Sequence, residues 1–133
     1  MARGVIYNPE RSRQIKDFSG LRYGTITPTD LDGLIDFGNK IFVYMEFKCA
    51  GIEINRGQEL AIERIVDDHK RLSIGIVALH NTSIDEAIDT ARCTVSKIRF
   101  NRRWYSIRQV FTVKQIIDRL LARYAPEYLK EAR

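Results

Sequence analysis

The chain reads as an α/β protein, a mixed central β-sheet flanked by helices, on three observations. Residues 41–49 and 72–79 are short, strongly apolar runs, as in strands covered on both faces. Between them, and again near the end of the chain, apolar residues recur at helical spacing. At 133 residues the chain holds one core of useful size and no room for a second.

Taken in order, Asn8-Pro9 is suited to start a short helix, with Ser19-Gly20 ending it after Phe18. Residues 25–29, with Pro28, read as an extended approach. Residues 31–37 and 41–49 form a hairpin turned at Gly38-Asn39-Lys40. A helix follows over 56–70, its stripe carried by Ala61, Ile62, Ile65, Val66 and His69, with Gln58 one turn earlier. The buried strand 72–79 ends at His80. Ser83-Ile84-Asp85-Glu86 has the form of a capping box opening a short helix to Ala91. Residues 95–100 and 104–110 are a second strand pair, turned at Asn101-Arg102. Thr112-Val113-Lys114-Gln115 is another capping box, and Val113, Ile116, Ile117, Leu120, Leu121 and Tyr124 form an apolar face before Pro126 stops the helix. The expected order is α-ββ-α-β-α-ββ-α, without repeats or linkers.

Composition narrows the function. Apolar residues at 44% and charged residues at 29% belong to a folded chain rather than a disordered one. No apolar run approaches the roughly 20 residues of a membrane span. Met1-Ala2-Arg3-Gly4-Val5-Ile6 lacks the apolar core of a signal peptide. Cys49 and Cys93 make neither a disulfide framework nor a zinc motif and read as small buried apolar residues. The expectation is a cytoplasmic protein with no membrane association. Its net charge of +5 is unevenly spread. Residues 1–29 carry five basic and two acidic side chains, 30–89 six and twelve, and 90–133 eleven and three. An acidic middle between basic ends suggests a carboxylate site flanked by surfaces that attract a polyanion.

The carboxylates concentrate in the first hairpin. Asp30, Asp32 and Asp36 share one face of its first arm, and Glu46 and Lys48 share one face of its second. A three-residue turn pairs Phe37 with Ile41, which sets Asp32 opposite Glu46 and Asp30 opposite Lys48. A two-residue turn would put the two groups on opposite faces. In the first register, charges converge within an apolar hairpin where burial without partners is costly. A divalent cation removes the difficulty, and Mg²⁺ is typically held by one or two carboxylates plus waters and phosphate oxygens.

The run Thr29-Asp30-Leu31-Asp32-Gly33 followed by Met45-Glu46-Phe47-Lys48 resembles the PD-(D/E)XK nuclease superfamily. There, an Asp early in one core strand and a Glu-x-Lys in the next hold one or two Mg²⁺ or Mn²⁺ ions. The thirteen residues between Asp32 and Glu46 match the usual separation, and Gly57-Gln58 matches the Gln often carried by the following helix. The motif resemblance covers roughly residues 25–80, and the remainder by element order only. It looks like the compact phage-encoded and Holliday-junction-resolvase-like branch. It implies a restriction-endonuclease-like core with Asp32 and Glu46 on the metal, Lys48 positioning the water or stabilising the transition state, and Gln58 supporting the site. The chain departs from the pattern in lacking an adjacent Pro-Asp, since Thr29 separates Pro28 from Asp30. Both Asp30 and Asp32 therefore remain ligand candidates, with Asp32 preferred by register. Glu10 and Asp17 are candidates for the first-helix carboxylate some members add. His80 reads as a structural histidine.

Between Thr90 and Ile117 lie seven basic residues and no acidic one. Arg99, Arg102, Arg103 and Arg108 are the candidates for DNA phosphates, with Arg102 and Arg103 at a hairpin tip. The interleaved Phe100, Trp104, Tyr105 and Phe111 read as packing inward rather than stacking on bases. The expected function is Mg²⁺-dependent cleavage of DNA phosphodiester bonds. The resemblance points to an endonuclease on branched or structured DNA, phage- or prophage-related, and small nucleases of this kind often act as homodimers. The alternative is a non-catalytic nucleic-acid- or protein-binding module on a decayed nuclease fold.

Overall fold

The computed structural model describes residues 17–130 together with Gln14. The helix expected from Asn8 lies almost wholly outside the described residues, as does Glu10. The elements are β1 (Gly33–Phe37), β2 (Ile41–Cys49), α1 (Arg56–Asp68), β3 (Leu72–His80), β4 (Thr94–Phe100), β5 (Arg103–Ser106) and α2 (Val113–Tyr124). Short 3₁₀ turns occupy Ser19–Leu21, Thr90–Arg92 and Pro126–Lys130. One five-stranded sheet holds the strands in the order β1-β2-β3-β4-β5. Only β2 and β3 are parallel, joined by α1 as their crossover, and the other pairs are antiparallel. The α/β class with a mixed sheet is thus as expected. Among the described residues no helix is long and apolar enough to cross a membrane.

Two layers of helix cover the sheet. Ile41, Val43, Met45, Ile74, Ile76, Ala78 and Val95 face α2, which contributes Val113, Ile117, Leu120 and Leu121 to the larger core. The other face packs Tyr44 against Ile62 and Val66 of α1, with Phe42, Ile54 and Trp104 around them. This smaller core leaves room along the same face for polar side chains. Gly75 lies under α1, and a Cβ there would run into Ile62 Cγ2 and come within 3.3 Å of Arg99 Cβ. Gly75→Ala is therefore expected to destabilise the fold by roughly 1–3 kcal/mol, the usual cost of overpacking. An unchanged urea midpoint would show that α1 sits farther from the sheet.

Local chemistry explains where the elements start and stop. Asn55 caps α1 by accepting from Gln58 N, and Thr112 and Gln115 cap α2 reciprocally. Asn101 and Arg102 both have positive φ, at 52° and 62°, which suits a two-residue hairpin between β4 and β5. Four expectations need correction. Cys49 is exposed at the end of β2, whereas Cys93 is buried as expected. The helix expected at 83–91 is absent: Ser83 Oγ donates to the Glu86 carboxylate at 2.9 Å instead of capping a helix, and Ile84 is fully solvent-facing. A short segment with no face to bury lacks what stabilises short helices. The first arm begins its ladder at Gly33 rather than Leu31, because the Asp32 side chain takes the Phe47 N–H. β5 ends at Ser106 rather than Val110: Ile107 N still donates to Ser96 O, and the chain meets β4 again where Val95 N donates to Phe111 O.

Candidate active site

The hairpin turns through three residues. Phe37 pairs with Ile41 and the register runs on to Gly33 opposite Met45. The ladder stops there, and the carboxylate of Asp32, the next residue out, lies beside Glu46. Asp32 is fixed there by Phe47 N, which donates to its Oδ2 at 2.7 Å. Asp36, on the same face of β1, accepts from Asn39 N at 2.7 Å and so closes the turn.

Glu46 lies inside β2 and is 2% exposed. Gln58 Nε2 donates to its Oε1 at 3.0 Å, and the Lys48 ammonium stands 3.6 Å from the same oxygen. The second distance is an ion pair rather than a hydrogen bond. Gln58 reaches Glu46 because the Asn55 cap sets the first turn of α1 directly over β2. Among the described residues, two buried side-chain acceptors have no donor: Glu46 Oε2 and Gln58 Oε1. Leaving a buried polar atom unsatisfied costs about 1–3 kcal/mol, and more for a charged one.

Electrostatics point the same way. Burial, then the Asp32 carboxylate beside it, push the Glu46 pKa up to about 7, and Lys48 offsets only part of this. Asp30 adds a smaller contribution in the same direction, which places it near the pair but outside it. Glu46 therefore keeps its proton up to near neutral pH. Among the described residues, no group of three His, Cys, Asp or Glu side chains forms a metal-holding cluster. The carboxylates of Asp32 and Glu46 lie side by side with the Gln58 amide next to them, a hard donor set suited to a divalent cation that keeps several waters. The unpartnered Glu46 and Gln58 oxygens fit such an ion, which Asp32 and Glu46 would hold.

The basic third of the chain divides into two groups. Arg99 is committed to Asp67, donating from Nε at 3.0 Å and Nη2 at 2.5 Å. Its guanidinium ties β4 to α1 and is mostly buried. Arg102, Arg103 and Arg108 are exposed, with Arg102 Nη1 also donating to Asp67 O at 3.3 Å. The Asn101-Arg102 turn lies about 15 Å along β4 from Lys97 at strand rise, and Lys97 is level with Glu46 through Val77.

Trp104, Phe100 and Phe111 pack against neighbours as expected, whereas Tyr105 is 40% exposed. Trp104 Nε1 donates to Glu63 at 2.7 Å. Asp17 is used locally, accepting from the Ser19 N–H and hydroxyl. His80 Nδ1 accepts from Thr82 N at 3.2 Å, a structural role.

Sequence reasoning missed Lys97 and Glu59. They form an ion pair beside the site, with Lys97 over the Trp104 ring at 4.5 Å. The Lys97 bond holds the Glu59 carboxylate below its usual range. Lys97 sits at an inward strand position, a signal that could have been read only once its strand partners were known.

Comparison with known proteins returns no matching family model, no matching curated protein and no matching solved structure.

Proposed function

We propose that this chain is a metal-dependent DNA nuclease of the PD-(D/E)XK type, hydrolysing phosphodiester bonds in branched or structured DNA. The observation that carries the reading is the buried Glu46 carboxylate with its unpartnered Oε2, next to Asp32, Lys48 and the unpartnered Gln58 Oε1. A static core has no use for this arrangement, since an apolar residue at position 46 would avoid the burial cost. The hairpin and crossover helix that carry the four residues, followed by a parallel strand, support a restriction-endonuclease-like core.

A bound Mg²⁺ or Mn²⁺ would supply Lewis-acid charge and lower the pKa of a coordinated water. Asp32 and Glu46 are the residues to hold it, Asp32 being kept in place by the Phe47 N–H. Gln58 orients Glu46 by donating to Oε1, which leaves Oε2 directed away from the amide donor. The Lys48 ammonium is partly exposed and not locked by a short hydrogen bond. It is placed to orient the attacking water and to stabilise negative charge on the phosphoryl oxygens. Burial of Glu46 excludes competing water from the carboxylate itself.

The test is a substrate panel of duplex, single strand, flap and four-way junction, each with Mg²⁺ or EDTA. Mg²⁺-dependent cleavage that prefers a branched substrate is the expected result, and no cleavage of any substrate would reject the reading. DNA affinity has a separate test. Replacing Arg102 and Arg103 together with Ala should weaken binding about equally for unrelated sequences, because interactions with the DNA backbone carry no base information. Each phosphate interaction removed from the duplex complex should reduce the slope of log K against log salt by about 0.9. Measured in Ca²⁺, an unchanged slope would place the DNA path away from this hairpin.

A further inference from the structure

On the sheet face opposite Glu46, a groove of about 230 Å³ runs between β4 and α2. Ile98 is the lateral partner of Ile76, which packs under α2, whereas Glu46 faces Gln58 of α1. The groove is apolar and open: Ile98, Phe100 and Ile116 are half-buried and Tyr124 is 48% exposed. Its volume lies below the usual range of small-ligand pockets and suits a single side chain. Arg119 and Arg123 flank it. Their guanidiniums lie over the Phe111 and Tyr124 rings, at 4.3 and 5.6 Å. Among the described residues neither is paired with a carboxylate, because Asp118, the one acid of α2, is held by Lys114, and Glu127 beyond it by Lys40.

The complement of this groove lies elsewhere in the same chain. Residues 81–91 carry three acidic side chains and no basic one. Ile84 at their tip is 98% exposed, an apolar side chain left in water. Beside it, Asp85 makes no hydrogen bond or ion pair among the described residues, and the Glu86 carboxylate accepts only from the Ser83 hydroxyl. An apolar tip beside carboxylates thus matches an apolar groove beside guanidiniums, a pairing that charge-assisted hydrogen bonds would hold. Within one chain the two are apart. The loop leaves the sheet where Leu79 pairs with Thr94, and the groove reaches Phe100, about 20 Å along β4 at strand rise.

We propose that Ile84 of one copy seats in the groove of a second copy, with Asp85 and Glu86 meeting Arg119 and Arg123, and that the exchange is reciprocal about a two-fold axis. Reciprocal docking closes the assembly as a dimer, whereas one-way docking would extend into a chain. The interface leaves Glu46 and Lys48 open on the other face and stands independently of the nuclease reading.

Sedimentation velocity of the full chain from about 10 to about 500 µM should show a monomer–dimer equilibrium, as befits a small interface. Ile84→Asp alters a side chain that the monomer leaves in water, so it should weaken the dimer about tenfold or more with an unchanged urea midpoint. Asp85→Arg with Glu86→Arg, and separately Arg119→Glu with Arg123→Glu, should each give monomers, since like charges then meet at both contacts. Mixed in equal amounts, the two double variants should form a heterodimer, because opposite charges face each other again at both. Monomer at every concentration, an Ile84→Asp dimer as tight as the wild type, or no heterodimer in the mixture would overturn the inference. So would a monomeric chain whose affinity for duplex DNA falls on Arg119→Glu with Arg123→Glu, which would assign the two arginines to phosphates instead.

Discussion

Asp32→Asn, Glu46→Gln and Lys48→Ala are each expected to reduce Mg²⁺-dependent cleavage by about 10²–10³-fold or more while the fold persists, the scale of losing one electrostatic group from a site. The three act differently. Glu46→Gln keeps an oxygen for Gln58 Nε2 to donate to but removes the charge that would hold a cation. Asp32→Asn retains an acceptor for Phe47 N, so the start of the hairpin is undisturbed. Lys48→Ala leaves both carboxylates and should preserve Mn²⁺ affinity, so its effect falls on turnover. Asp32→Ala should abolish metal binding whereas Asp30→Ala should only weaken it, because the Asp30 charge acts on Glu46 more weakly than that of Asp32. Activity retained in the Glu46 variant, with contaminating nuclease excluded, would reject the assignment, and a metal on Asp30 alone would reject the choice of Asp32.

Glu46 should also set how stability varies with pH in the metal-free protein. Its pKa rises from an ordinary 4.5 to about 7 on folding, chiefly through burial and then through Asp32. Between those values the folded state holds a proton that the unfolded state has released, so stability falls as pH rises. The contribution is fully present below about pH 4.5 and is lost as pH passes 7. Its full size is on the order of 3 kcal/mol. Glu46→Gln cannot ionise and should lack this loss, so above pH 8 it should be the more stable of the two proteins. Mg²⁺ should restore the wild type at high pH, since a cation bound only to the folded state stabilises it by mass action. Urea denaturation at pH 5.5 and 8.5, with and without Mg²⁺, reads all three effects. Parallel pH profiles for the wild type and Glu46→Gln would mean that Glu46 ionises freely.

Much of the fold was legible because its signals are local. β2 and α2 carry their own punctuation, Gly38-Asn39-Lys40 before one and the Thr112–Gln115 capping box at the start of the other. The same kind of signal failed at Ser83–Glu86, where the two side chains bonded to each other and no core lay within reach of Ile84. Capping favours a helix end, but burial decides whether a short helix exists.

The sequence by itself determined the class of the sheet, the candidate set Asp32, Glu46, Lys48 and Gln58, and the segregation of basic residues toward the end of the chain. The first and last follow from periodicity and composition, which each segment carries alone, and the candidate set from the resemblance of these positions to the PD-(D/E)XK pattern. Tertiary structure decided the rest. The hairpin register that sets Asp32 across from Glu46 comes from the turn closed by Asp36 and Asn39, and one residue of slip would have parted the two carboxylates. The commitment of Arg99 to Asp67 and of Lys97 to Glu59 required α1 to lie across β4, a pairing of residues more than thirty positions apart in the chain. Charge counts treated all those arginines and lysines alike. Only the packing of a helix on a sheet separates the cations that hold the fold from those that face solvent, because an ion pair depends on distance in space and the sequence states only distance along the chain.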